Sequence, residues 1–156
     1  MTELMTKKRK GYGFKQGKFT PVNKEKYKGS YPIQYRSSWE LKFMMYCDRN
    51  TKIINWGSES VVLKYKDPSR NNTIHRYFMD FNFTIVKDGK PQTFLVEIKP
   101  YSQTRPPKRG RKALKNFLNE SMTWVRNKAK WEAAEKFCRS KGWKFLIFTE
   151  KELLIS

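Results

Sequence analysis

Hydrophobic and polar positions alternate most clearly between Arg76 and Lys99, in the run RYFMDFNFTIVKDGKPQTFLVEIK. Tyr77, Met79, Phe81, Phe83 and Ile85 fall on one face of a first extended arm, and Phe78, Asp80, Asn82 and Thr84 on the other. The second arm is the apolar run FLVEIK, in which Leu95, Glu97 and Lys99 share a face. Between the arms, Asp88-Gly89 suits the positive φ angles of a type I′ turn. A hairpin centred there pairs residues whose numbers sum to 177, so Asp80 faces Glu97.

Helical spacing appears on both sides of this hairpin. Ser37 and Glu40 have the separation of a capping box, and Trp39, Phe43, Met44 and Cys47 then form an apolar stripe, predicting a helix from about Ser38 to Asp48. Strands are expected near Lys52–Trp56 and Ser60–Tyr65, followed by a polar link over Lys66–Thr73. A longer helix is expected from about Lys112 to Ser140, with Asn119 a candidate break point and Gly142 its C-terminal cap. Trp124, Trp131, Ala134 and Cys138 would form its core-facing stripe. KFLIFT reads as a buried strand, and Thr149 and Glu152 open a short last helix. This order predicts an α/β (α+β) domain with a small mixed β-sheet and flanking helices.

Charge divides the chain further. Residues 1–30 carry nine Lys/Arg and are broken by Gly11, Gly13, Gly17 and Gly29, so they read as a basic, partly flexible arm preceding a folded domain at 31–156. Its aromatics (Tyr12, Phe14, Phe19, Tyr27) suit either contact with nucleic acid or wrapping around the arm's own domain. Over all 156 residues, 34 Lys/Arg against 14 Asp/Glu give a formal net charge of +20. Such a charge predicts a polyanionic partner, most often nucleic acid. No run approaches membrane-spanning length and no basic amphipathic helix is evident, so no membrane partner is expected. Cys47 and Cys138 lack metal-ligand spacing and read as buried thiols of a soluble, intracellular protein. A second basic run, Arg105, Lys108, Arg109, Arg111 and Lys112 with Lys115, contains no acid and is kept non-helical at first by Pro106, Pro107 and Gly110. Together with Lys7, Lys8, Arg9 and Lys10 it supplies the candidate DNA contacts.

The opposed acids carry the candidate chemistry. Two carboxylates facing each other across a ladder repel, and a divalent cation between them reverses the sign. Phosphodiester hydrolysis calls for such a cation, which polarises the phosphoryl group and acidifies a bound water. Asp80, Glu97 and the backbone carbonyl of Ile98 are the candidate ligands. Lys99, on the Glu97 face, is placed to orient the water or to offset charge on phosphate. Glu40 is the candidate third carboxylate, although its capping position accounts for it equally well, and Glu59 is the fallback. His75, the sole histidine, reads as a surface or polar-pocket residue, which leaves no nucleophilic triad. The glycines of the arm follow no strand, so no phosphate loop and no nucleotide cofactor are expected.

Asp80, then Glu97-Ile98-Lys99 after a turn, with Glu40 on a preceding helix, resembles the signature of the PD-(D/E)XK nuclease superfamily. The resemblance implies a restriction-endonuclease-like core and Mg²⁺ or Mn²⁺ as cofactor. KFLIFTEKEL is similar to the end of that core in transposase-type and Holliday-junction-type members, while Met79 stands where the motif often has proline. Across most of the chain, KFTPVNKEKYKGSYPIQYRSSWELKFM, NWGSESVVLKY and RYFMDF resemble the head completion nucleases of T-even-type tailed bacteriophages. That implies a metal-dependent DNA endonuclease or exonuclease acting after packaging and before tail joining. It further implies the cytoplasm of the infected host as location, with virion association and phage head or portal proteins as candidate partners. The competing expectation is a non-catalytic DNA-binding structural protein of the phage head, although a clamp would gain by losing acids near phosphate. An RNA-binding basic protein would leave the paired acids without a role.

Overall fold

In the computed structural model, residues 16–153 are described; Lys7, Lys8, Arg9 and Lys10 lie outside them. Strands β1 (Gly17–Phe19) and β2 (Ile33–Tyr35) pair antiparallel ahead of helix α1 (Ser38–Arg49). Five strands follow: β3 (Ile53–Ser58), β4 (Val62–Asp67), β5 (Thr73–Phe78), β6 (Phe81–Lys87) and β7 (Lys90–Ile98). Helix α2 (Leu114–Lys141), strand β8 (Lys144–Phe148) and the short α3 (Glu150–Leu153) complete the described chain. The central sheet runs β3-β6-β7-β8, antiparallel except for the parallel β7–β8 pair, while β4 and β5 form a separate ribbon. The expected mixed sheet with flanking helices is the observed architecture.

The β6–β7 hairpin has the register its turn dictates. Asp88 and Gly89 adopt φ of 53° and 75°, Phe81 pairs with Val96, and Lys87 with Lys90. Yet the long first arm is not one strand. Tyr77 and Met79 pack with Leu95, Ala134 and Cys138 on the α2 side of the sheet, whereas Phe81 and Phe83 pack with Phe43 and Trp56 on the α1 side. A strict period of two would keep residues 77, 79, 81 and 83 together. Backbone bonding explains the switch: Met79 N–H donates to Val61 O at 3.0 Å, and Glu59 N–H donates to Asp80 O at 3.1 Å. The chain is thus passed from the β4–β5 ribbon into the central sheet at Met79-Asp80.

Helix α1 buries Trp39, Phe43, Met44 and Cys47 as its stripe predicts, with the Phe43 ring 4.8 Å from Phe81 and 5.5 Å from Phe148. Each such side chain contributes about 1.5–3 kcal/mol on full burial. Helix α2 is continuous through Asn119, and its C-terminus closes on Gly142 at φ 73°, where Trp143 N–H reaches Cys138 O at 2.8 Å. β8 is only half-buried because it is the edge of the sheet, although both of its faces are covered, Leu146 and Phe148 on the α1 side and Phe145 on the α2 side.

The stretch 17–30, expected within a partly flexible arm that either contacts nucleic acid or wraps its own domain, is packed on the domain. Tyr27 is buried with its ring 4.7 Å from Trp56, and Lys28 N–H donates to Trp56 O at 2.8 Å. Asp48 ties the stretch to α1: its carboxylate accepts from Val22 N–H at 2.8 Å and Asn23 N–H at 2.9 Å. Basic residues here therefore alternate with core aromatics, and composition alone hides the latter. Asp48→Ala removes both charged acceptors from backbone donors and is expected to cost about 2–4 kcal/mol in a chemical denaturation measurement; an unchanged midpoint would show that residues 17–30 add nothing to stability.

Candidate active site

The sheet register that sets Phe81 against Val96 brings Asp80 beside Glu97 one step further on. Asp80 Oδ2 accepts from the Ile98 N–H at 2.8 Å, which fixes its carboxyl group against β7. Glu97 is buried at 5% exposure and is held on both oxygens. Tyr77 O–H donates to Oε1 at 2.6 Å, and Lys99 Nζ lies 3.0 Å from Oε2. The hairpin and the register thus assemble Asp80, Glu97, Ile98 and Lys99.

Burial pushes the Asp80 carboxyl well above its usual range, and the charge of Glu97 pushes it further, against the opposing pull of the Ile98 N–H. Glu40 sits at the third position of α1, accepting from Arg36 N–H at 3.0 Å while Ser37 Oγ accepts from Glu40 N–H at 3.1 Å. The capping box therefore forms with its carboxylate shifted by one residue, onto the residue preceding the cap. Burial raises the Glu40 carboxyl too, opposed by Arg36 and reinforced by Glu59 and Glu97. Glu40 feels the acidic pair without closing on it: among the described residues, no three His, Cys, Asp or Glu side chains converge into a metal cage. Glu59, the fallback, pairs with Arg36 at 3.0 Å.

Two contributors escaped the sequence reading. Tyr77 counted as an apolar core position, yet its hydroxyl is the partner of Glu97, and a tyrosine on a buried face carries such a polar handle. Lys130 of α2 places Nζ 5.4 Å from the Tyr77 ring and 5.7 Å from the Tyr65 ring. Burial lowers its pKa while Glu97 opposes that fall. Its signal was a lysine four residues before Ala134 and eight before Cys138, on the stripe that faces the core.

The donor set suits a hard cation. Asp80 Oδ1, the Glu97 carboxylate and the Ile98 carbonyl are all oxygens, and the desolvated acidic pair lacks the charge compensation that a dication brings. The basic run after β7 is exposed at Arg105, Lys108, Arg109, Arg111 and Lys112, with Lys112 Nζ 2.7 Å from the Glu120 carboxylate. His75 is half-buried and shares a 2.7 Å hydrogen bond with Thr73 Oγ1, outside this acidic site.

The raised Asp80 pKa fixes the sign of a pH effect. A carboxyl that binds its proton more tightly when folded stabilises the fold below its unfolded pKa of ~3.9 and loses that contribution as pH rises through the folded value. In EDTA, Asp80→Asn keeps an acceptor for Ile98 N–H and is expected to melt about 3 °C or more above wild type at neutral pH, with the gap narrowing on acidification. Equal melting curves across that range would mean that Asp80 carries no strain.

Comparison with known proteins supplies the family. The family model described as TnsA-like endonuclease N terminal matches residues 50–150, a span that holds Asp80, Glu97, Lys99 and Lys130 and leaves Glu40 outside. The head completion nuclease of Enterobacteria phage T4 is 42% identical over 142 residues, covering 88% of this chain and 92% of that protein. On the strength of that identity and coverage, the chain belongs to the head completion nuclease family, built on the restriction-endonuclease-like core of the PD-(D/E)XK superfamily.

Proposed function

We propose that this protein is a divalent-cation-dependent DNA nuclease that trims or cuts DNA during phage head completion, after packaging and before tail joining. The observation that carries the reading is the desolvated Asp80–Glu97 pair with Lys99 beside it. A structural protein has no use for two acids forced together inside a domain of net charge +20, because each costs desolvation and repels phosphate. Membership of the nuclease family and the likeness to the T4 protein support the same conclusion.

In this reading Asp80, Glu97 and the Ile98 carbonyl hold Mg²⁺ or Mn²⁺. The bound ion supplies charge that polarises the scissile phosphoryl group and makes a water acidic. Lys99 offers an ammonium that orients the attacking water or meets the negative charge growing on phosphate. Tyr77 holds one Glu97 oxygen by its O–H and so fixes the carboxylate plane. Lys130, half-buried against Tyr77 and Tyr65, adds positive potential from the α2 side. Glu40 shapes the field from α1 while capping it. The arm residues Lys7, Lys8, Arg9 and Lys10, and the exposed run Arg105, Lys108, Arg109, Arg111 and Lys112, contact DNA phosphates. Phage head or portal proteins are the proposed assembly partners, in the infected host cytoplasm or on the virion.

The test is incubation with plasmid, linear duplex and single-stranded DNA in Mg²⁺, Mn²⁺ or EDTA. Wild type is expected to cut with either ion and not in EDTA, and Glu97→Ala to be inactive. Lys99→Ala is expected to cut about 100-fold more slowly or worse, with DNA affinity in Ca²⁺ little changed. Cleavage at full rate in EDTA would defeat the cation dependence, and binding without cleavage of any of these DNAs would favour the structural alternative.

A further inference from the structure

A second feature follows the acidic pair along the chain, and its cations are among those proposed above to meet DNA phosphates. A cleft of about 560 Å³ opens between the segment that follows β7 and the first half of α2. That volume is within the ~300–1,000 Å³ usual for small-ligand sites. Arg105, Lys108 and Lys112 line it, together with Trp124 and Asn127 from α2. Asn127 is only 6% exposed, yet its amide has no hydrogen-bond partner among the described residues. The amide is not sealed off from solvent, so a ligand entering the cleft would replace water as its hydrogen-bonding partner.

Both walls run directly from the acidic site. On one side, Tyr101 follows Lys99 by two residues, and its N–H is anchored to Glu150 Oε1 at 2.7 Å. Arg105 is laid against it, with its guanidinium 5.0 Å from the ring centroid and Nε donating to the Tyr101 hydroxyl at 2.8 Å. On the other side, Asn127 precedes Lys130 by three residues on one helix face, and Lys130 sits over the tyrosine that holds Glu97. The cleft is therefore the next compartment along a strand lying in the site.

Its chemistry selects the occupant. A planar indole, an unpaired amide with both donor and acceptor, and flanking cations match a nucleobase with phosphates on either side. Lys112 is already paired with Glu120, so Arg105 and Lys108 are the freer phosphate partners. In a duplex the base is stacked and paired, and its edge cannot reach an amide on the wall of a cleft; only an unpaired base enters such a cleft. We propose that this cleft binds one unpaired nucleotide of the DNA strand being cut, base against Trp124 and Asn127, so that the preferred substrate is single-stranded, frayed or gapped DNA next to the scissile phosphate. This inference rests on the nuclease reading for the identity of the strand. An amide that both donates and accepts suits every base, so the selection is for unpaired structure and not for sequence.

The test uses the full chain in Ca²⁺ and fluorescence anisotropy with three ligands: a short thymidine strand, the same strand carrying abasic residues throughout, and a duplex. Wild type is expected to bind the base-bearing strand about 5- to 100-fold tighter than the abasic one. Trp124→Ala is expected to erase that difference and leave duplex affinity unchanged, with Asn127→Ala acting in the same direction. Trp124 packs 5.9 Å from Trp131, so Trp124→Phe, which keeps an aromatic face, serves where the alanine variant fails to fold. The wild-type comparison of base-bearing with abasic strand needs no variant at all. Equal binding of those two strands, or equal loss of single-strand and duplex affinity in Trp124→Ala, would overturn the proposal. Displacement of the strand by free thymidine monophosphate at stoichiometric concentration would also overturn it, since the cleft would then be a mononucleotide site. Base-dependent binding by a protein that cuts nothing would remove the nuclease reading and leave the nucleobase site standing.

Discussion

The close approach of Asp80 and Glu97 is the constraint to which the neighbouring structure answers. Two carboxylates in a desolvated site favour protonation or neutralisation, and this fold supplies partial compensation from four directions. The Ile98 N–H binds Asp80, Tyr77 and Lys99 bind the two oxygens of Glu97, and Lys130 approaches from α2. None of these removes the repulsion, because only Lys99 and Lys130 bring full charges and Lys130 is itself desolvated. A site left short of positive charge is what the proposed dication would complete.

Delivering Asp80 to that position requires the chain to change partners in the middle of what looks like one strand. Met79 is the pivot. Its side chain is fully buried on the α2 side, and its N–H is spent on Val61 O, a bond that proline at the same place could not make. The methionine thus replaces the stiffness that the family motif often takes from proline with a hydrogen bond to the neighbouring ribbon. The same switch lets Tyr77 stay on the α2 side, where its hydroxyl reaches Glu97, while Phe81 enters the core under α1.

Much of this was legible because it is local. The Asp88-Gly89 turn sets the hairpin register, and the register alone aligns Asp80 with Glu97. The Ser37–Glu40 spacing marks the start of α1, and Gly142 marks the end of α2. What escaped depends on distant partners. The face switch at Met79-Asp80 is made by backbone bonds to Val61 and Glu59, which no period of two can reveal. The packing of residues 17–30 depends on the Asp48 carboxylate, about 25 residues away in sequence. Lys130 and Tyr77 were hidden because both stand at core positions, where an apolar role is the commoner one. The candidate metal ligands were therefore readable from the hairpin, and their supporting residues were not.

The distribution of charge completes the physical case. A net charge of +20 draws DNA to the whole surface, yet hydrolysis needs a negative pocket at one point to hold a dication. Here Glu97 is buried on β7 and Asp80 half-buried at the β5–β6 switch, while the basic run after β7 remains exposed. DNA can therefore meet cations first and acids only at closest approach. Lys99 stands between the two regimes: it is bound to Glu97 and is the last residue before the segment that leads to Arg105. A cation taking up the charge of Glu97 would weaken that ion pair and leave the ammonium available to phosphate. In the proposed reading, binding of a dication and readiness of the lysine would be coupled through one carboxylate. The coupling gives a physical reason for placing the lysine two residues from the glutamate on one strand face, since a residue on the opposite face would share neither the carboxylate nor the phosphate.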